Sequence, residues 1–198
     1  MPARHRPTPR LNDGPAPAGS ISGIKVPPLS PDSIVRACGP VPSHLYVLGE
    51  RAGKKENDQG VPFVGSAGQT LREWFDRAKL DLDNFRRWNV CIDYKPDNPK
   101  PLGWEIKRDR LEVETDIIRC QPNVIVAVGV HATEWCLGRK VKLGTVHGRE
   151  FEVHIRDHKA VCVPIYHPST YGRIERAEMG KADVLTVADC LSRMTRRT

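Results

Sequence analysis

The sequence predicts an α/β fold, a three-layer α/β/α domain on a central, mainly parallel four-stranded sheet. Three observations carry this reading. Four short apolar runs, at 44–48, 88–92, 123–129 and 160–166, have the length and composition of buried strands. Longer stretches with apolar residues at helical spacing separate them, the alternation that covers a parallel sheet on both faces. The first run, Leu45-Tyr46-Val47-Leu48, stops at Gly49 and opens into a polar loop with glycines at 53, 60, 65 and 68. That is how a parallel strand delivers its C-terminal end to a ligand crevice.

Taken in order, residues 1–30 are rich in Pro, Gly and Ser and lack apolar periodicity. They read as a flexible basic arm, either an electrostatic tether or simply disordered. The folded domain, 31–198, is expected to begin near Pro31, with a short helix over 32–37 and a break at Gly39-Pro40. After the first strand, residues 66–79 place Leu71, Trp74, Phe75 and Ala78 on one helical face. The strand Trp88–Ile92 follows, and prolines at 96, 99 and 101 make 93–103 a loop. A helix over 104–119, with charges on one face, leaves through Pro122. The run Asn123–Gly129 is the clearest buried strand, and its glycine turns into a helix ending near Leu137. A mostly polar connection leads to the strand 160–166, which ends at His167-Pro168-Ser169. A helix over 177–194 closes the chain.

Composition bounds the function. A chain of 198 residues is long enough for one domain with a full core. No apolar run approaches membrane-spanning length, and the N-terminus lacks a signal-peptide core, so a soluble, cytoplasmic protein without membrane partners is expected. Six scattered cysteines without a CxxC favour reduced thiols over a disulfide framework. The net charge of +7 points to a polyanion. Residues 1–30 and 191–198 carry most of it, so a DNA-binding face must come from local clusters such as Lys54-Lys55, Arg86-Arg87 and Arg173-Arg176. A monomer is expected.

The densest signal is the stretch 45–71. Glu50 sits where a strand end would face the crevice, and Phe63 stands among small residues, placed to stack on something flat. Gly49-Glu50-x-x-Gly53, eight residues, then Pro62-Phe63-Val64-Gly65-x-Ala67-Gly68 resembles the first motif of the uracil-DNA glycosylase superfamily, in particular its family 4 and the covalent-binding relatives. Asn89 stands in the place of that superfamily's second-strand Asn, and His167-Pro168-Ser169 is similar to its HPS motif. Cys120-Gln121-Pro122 before the strand 123–129 also resembles family 4. The resemblance spans about 38–190.

It implies a monofunctional DNA glycosylase. Breaking an N-glycosidic bond builds positive charge on the sugar and negative charge on the departing base, so a flipped base must be stacked, read and relieved of charge. On this reading Phe63 stacks on a pyrimidine, and Asn89, both donor and acceptor, reads its edge. His167 donates to the base O2, and Glu50 positions water or stabilises the cationic sugar. Arg51 and Asn57, which depart from the family pattern beside the retained Glu56, are expected to line the base pocket. Lys54, Lys55, Ser169, Tyr171 and Arg173 are expected on DNA, with Tyr171 filling the gap left by the flipped base. Uracil is the family default, and a bulky modified pyrimidine of phage DNA is the runner-up. A binder of DNA or modified bases that does not cut is the alternative.

Two further departures bear on cofactors. Family 4 enzymes hold an iron–sulfur cluster through four cysteines. Here only Cys38 precedes the first strand, Asp93 falls where a third ligand would be, and only Cys120 matches well. No cofactor and no metal are therefore expected. The segment 93–110 contains no His, so the covalent chemistry of the other relatives is not expected.

Overall fold

The computed structural model describes residues 20–21, 24–25, 33–169 and 174–196. Its centre is a five-stranded sheet of β1 (Leu45–Arg51), β2 (Arg86–Cys91), β3 (Val124–Val128), β4 (Phe151–Ile155) and β5 (His158–Ile165) in the order β2-β1-β3-β5-β4. The pairs β2–β1, β1–β3 and β3–β5 are parallel, whereas β4 runs antiparallel on the outer edge. The α/β class is as the sequence predicts, with one strand more than the expected four. Only Val153 and Ile155 of β4 are buried, so FEVHI reads as a polar connection until β5 pairs with it.

Among the described residues five α-helices accompany the sheet: α1 (Lys54–Gln59), α2 (Ser66–Arg77), α3 (Gly103–Cys120), α4 (Val130–Leu137) and α5 (Ile174–Thr195). Alternation along the strands divides the core in two, since successive side chains point to opposite faces. Tyr46, Leu48, Ile125 and Ala127 pack with Val113 and Ile117 of α3 and Trp135 of α4. Leu45, Val47, Val124 and Val126 pack on the other face with Leu71, Trp74 and Phe75 of α2 and Val184 and Val187 of α5. Both faces of β1 and β3 are therefore apolar, as continuous hydrophobic runs require.

The expected helix at 32–37 is not one; Asp32 lies outside the described residues, and 33–38 runs as a strap along the open edge of β2. Val35 N–H donates to the Ile92 carbonyl at 3.0 Å, and Cys38 and Arg87 exchange backbone hydrogen bonds of 3.0 and 2.8 Å. Val35 is buried beneath this contact, and the strap fills an edge that would otherwise offer unpaired backbone groups. Most of the basic arm lies outside the described residues; within it Ser20–Ile21 pairs antiparallel with Ile24–Lys25.

The strand order positions the site. Chain crossovers leave β1 toward β2 on one side and β3 on the other, and ligand crevices open at the carboxyl ends of strands where the winding reverses. Glu50 at the end of β1, Asn89 in β2, Gly129 after β3 and His167 after β5 all lie at that edge.

Candidate active site

A cavity of about 390 Å³ opens there, lined by Glu50, Phe63, Asn89 and His167 together with residues 51–56 and 65–68, Asn98 and Ser169. Glu50 lies at the end of the strand; β1 runs one residue further, to Arg51, so ladder pairing on either side of Glu50 fixes its backbone.

Two glycines make room for the aromatic. A Cβ on Gly49 would come within 2.4 Å of Asn89 Oδ1 and 2.6 Å of Phe63 Cζ, and one on Gly68 within 2.1 Å of the Phe63 carbonyl oxygen. Phe63 itself has a φ of 60°, a conformation that bulky residues adopt only when their surroundings impose it. Glu56 supplies much of that imposition. Its Oε2 accepts from Gly53 N–H at 3.1 Å, and its Oε1 accepts from Val64 and Gly65 N–H at 3.0 and 2.6 Å. One carboxylate thus caps α1 and ties the 61–65 loop to it. Sequence reading noted Glu56 as retained but missed this function, which the Gly-x-x-Glu capping pattern signals.

Asn89 is 4% exposed, and its side-chain amide makes no hydrogen bond among the described residues. The residue lines the cavity wall, where the donor and acceptor of its amide are open to a ligand.

His167 is oriented by its own loop. Its Nδ1 accepts the Ser169 backbone N–H at 3.1 Å and lies 2.6 Å from Ser169 Oγ. A nitrogen that accepts a backbone N–H carries no proton, which places the neutral ring's hydrogen on Nε2. Burial lowers the His167 pKa, partly opposed by the charge of Glu50, and so favours that neutral form. Gly129, at φ 85°, leaves the space beside the ring; a Cβ there would sit 3.3 Å from His167 Cβ.

Glu50 has a partner that the sequence motifs do not contain. Its Oε2 lies 2.6 Å from Nδ1 of His131, the second residue of α4. Burial pushes the Glu50 pKa up, but the hydrogen bond and charge of His131, with His167 and Arg51 nearby, outweigh it and hold the carboxyl below its usual range. The same hydrogen bond lifts His131 above its usual range, against the effect of burial.

The remaining predicted residues divide. Lys54, Lys55 and Ser169 are exposed on the rim; Lys54 pairs with Asp58 at 2.7 Å. Arg51 is a correction. Its side chain is fully buried, 2.9 Å from Glu105 and 3.8 Å from Asp93, so it lines the cavity through its backbone and offers no guanidinium to a base. Asn57 is a second correction: it lies in α1, outside the cavity lining, because the loop expected there is a helical turn. Asn98, with φ 44°, occupies the lip instead and was missed, since a loop of three prolines gives no periodicity from which to place it. Tyr171 and Arg173 lie outside the described residues.

The residues do not fit the iron–sulfur cluster that the sequence resemblance implies. Cys120 is fully buried with its thiol 3.9 and 4.0 Å from the carbonyls of Pro40 and Ser43, and Asp93 pairs with Arg108 at 2.9 Å. All six cysteines are free, and among the described residues no three His, Cys, Asp or Glu side chains converge on a metal position. Beside Cys120, Arg86 instead joins Asp116 at 2.7 Å and the Gly39 carbonyl at 2.8 Å, while Tyr46 donates to Asp116 at 2.8 Å.

The uracil DNA glycosylase superfamily model matches residues 37–189. The type-4 uracil-DNA glycosylase of Archaeoglobus fulgidus is 30% identical over 133 residues, 64% of this chain and 66% of that protein. That of Sulfurisphaera tokodaii is 26% identical over 132 residues, covering 64% and 60%. That of Thermotoga maritima is 28% identical over 142 residues, covering 71% and 72%. The chain thus spans about two thirds or less of the length of the first two relatives. The match runs from the strap through most of α5 and takes in the whole cavity wall: the chain belongs to the uracil DNA glycosylase superfamily.

Proposed function

We propose that the protein is a monofunctional DNA glycosylase that draws a flipped pyrimidine into the cavity and hydrolyses its N-glycosidic bond, leaving an abasic site. The observation that carries the reading is the convergence of Glu50, Phe63, Asn89 and His167 on one cavity of about 390 Å³. Each supplies what this chemistry needs. Phe63 offers a ring face to the base, and the unpaired Asn89 amide offers a donor and an acceptor to its edge. The His167 Nε2–H is the donor for O2, where charge collects as the bonding pair leaves with the base. Glu50 Oε1, without a protein hydrogen bond among the described residues, accepts from the attacking water and faces the developing cationic sugar. Water oxygen bonds to C1′ as the bond to the base breaks, and its proton passes to solvent or the base through the carboxylate.

Uracil is the first candidate base, on the strength of the type-4 relatives. A bulkier pyrimidine is the second reading, favoured by an adjoining cavity of about 530 Å³ that shares Glu50, Asn98, His167 and Ser169 with the first. The Arg51 side chain and Asn57 do not contribute to it. A panel of labelled oligonucleotides, single- and double-stranded, carrying uracil or 5-modified pyrimidines tests both. Alkali-labile breaks confined to the modified position are expected. Binding without abasic product on every substrate would leave the non-cutting binder.

A further inference from the structure

Glu50 is held by a residue outside every motif of the chain. His131 follows the Gly129 turn as the second residue of α4, and its Nδ1 lies 2.6 Å from Glu50 Oε2. The two side chains are 19% and 26% exposed, so water screens the contact only in part. An imidazolium at a helix N-terminus is opposed by the helix dipole, and the carboxylate opposite it reverses that balance. A ring present only to begin the helix would have no use for the charge.

We propose that His131 is a positioning residue for hydrolysis: as the imidazolium it keeps Glu50 ionised and turned so that Oε1 faces the sugar and the attacking water. The proposal rests on the glycosylase reading. The surrounding charges fit it. Glu50 is faced by His131, His167 and Arg51. His167 is held neutral, and the Arg51 guanidinium is spent on Glu105 and Asp93 below. His131 is faced by Glu50, Glu134 and Lys140, of which the last two pair with each other at 2.7 Å. Burial is the largest single influence on Glu50, and without His131 less would oppose its pull toward the protonated, inactive form. Opposite displacements, Glu50 down and His131 up, are what an ion pair requires of its two members.

Two measurements test this. Imidazole resonances of the wild-type protein, followed by NMR against pH, are expected to show His131 titrating above its usual range, and Glu50→Gln is expected to bring it down. This arm needs no substrate. In single turnover, His131→Ala is expected to slow excision roughly 10- to 100-fold, the scale of removing one hydrogen bond to a charged group. Its acid limb should move to higher pH as Glu50 loses the influences that depress it. His131→Gln keeps a donor without the charge; it should regain part of the rate and bring the limb only part of the way back, and thermal melting of both variants checks the fold. Wild-type rate and limb in His131→Ala would overturn the role, as would equal slowing in both variants with the limb unmoved. If the wild-type protein excises nothing from the panel, the glycosylase reading falls and this role with it; if it does excise and His131 titrates unchanged in Glu50→Gln, only the role falls.

Discussion

Gly49 shows how single atoms decide this site: with no Cβ, it lets the Asn89 amide and the Phe63 ring meet over one point of β1. Phe63 is held at a positive φ by Gly68 beneath it and by the Glu56 carboxylate bonded to the next two amides. The Phe63 ring is therefore in place without a ligand, so the cost of ordering it is met on folding rather than on binding. On the proposed reading the chemistry falls to two side chains. Glu50→Gln and His167→Ala are each expected to lower the single-turnover excision rate by at least ~100-fold, the scale of removing one electrostatic interaction from a transition state. DNA affinity, measured by fluorescence anisotropy, should change little. Both variants cutting at wild-type rate would place the chemistry elsewhere.

Among the elements, α3 is the least expected. Its inward face carries Glu105, Asp109, Glu114 and Asp116 among the apolar Val113, Ile117 and Cys120, all buried. Each acid has a basic partner: Glu105 takes Arg51 at 2.9 Å, Asp109 takes Arg108 at 2.6 Å, Glu114 takes Arg110 at 2.7 Å, and Asp116 takes Arg86 at 2.7 Å. Such pairs give little against apolar packing but are costly to break singly. Asp116→Ala, which strands Arg86 and the Tyr46 hydroxyl, is expected to cost roughly 3–5 kcal/mol in urea unfolding. Glu105 predicts a pH dependence. Burial raises its pKa, but Lys95, the Leu102 amide and Arg51 together bring it to about 2, against an ordinary 4.5. A depressed carboxyl stabilises the fold fully above its unfolded pKa and loses that contribution as pH falls through the folded value. On the order of 3 kcal/mol should therefore disappear between about pH 4.5 and 2. Glu105→Gln should flatten that part of the acid-unfolding curve, and an unchanged slope would show that the cluster does not act this way.

On the scale of the whole molecule, the two adjoining cavities and their rim charges lie at one edge of the sheet, with Lys54 and Lys55 on one side and Arg176 in the adjoining cavity on the other. Residues 170–173 join Ser169, on the first cavity, to α5 and Arg176, so the expected plug belongs to a segment whose two ends flank the base site. Tyr171→Ala is expected to slow excision from duplex DNA while sparing single strands, because an unstacking cost of roughly a few kcal/mol arises only in the duplex. Equal slowing on both would remove the plug. At the far side of the domain, the Arg86–Asp116–Tyr46 cluster, together with backbone hydrogen bonds from Cys38 and Ser43, ties the 38–43 segment to β2 and α3. The protein is accordingly expected to purify colourless and to keep its melting temperature in chelator. Stoichiometric iron and sulfide in anaerobically prepared protein would contradict this.

Residue order along the chain was enough for the layer architecture and for four of the residues that meet in the cavity. Apolar runs of strand length can only be buried in a covered sheet; Glu50 and His167 sit at a run's end, Phe63 in a glycine-rich loop, and Asn89 is the polar residue within a run. Local pattern could not give partners distant in sequence. Glu50 and His131 are 81 positions apart and meet because β1 and β3 are neighbours in the sheet. Arg51 looks like a pocket residue beside Glu50, yet successive strand residues face opposite sides, which turns it down onto the acids of α3. The edges were decided the same way: the 33–38 strap and β4 take extended form because β2 and β5 offer open backbone groups, a demand that exists only once the sheet has formed.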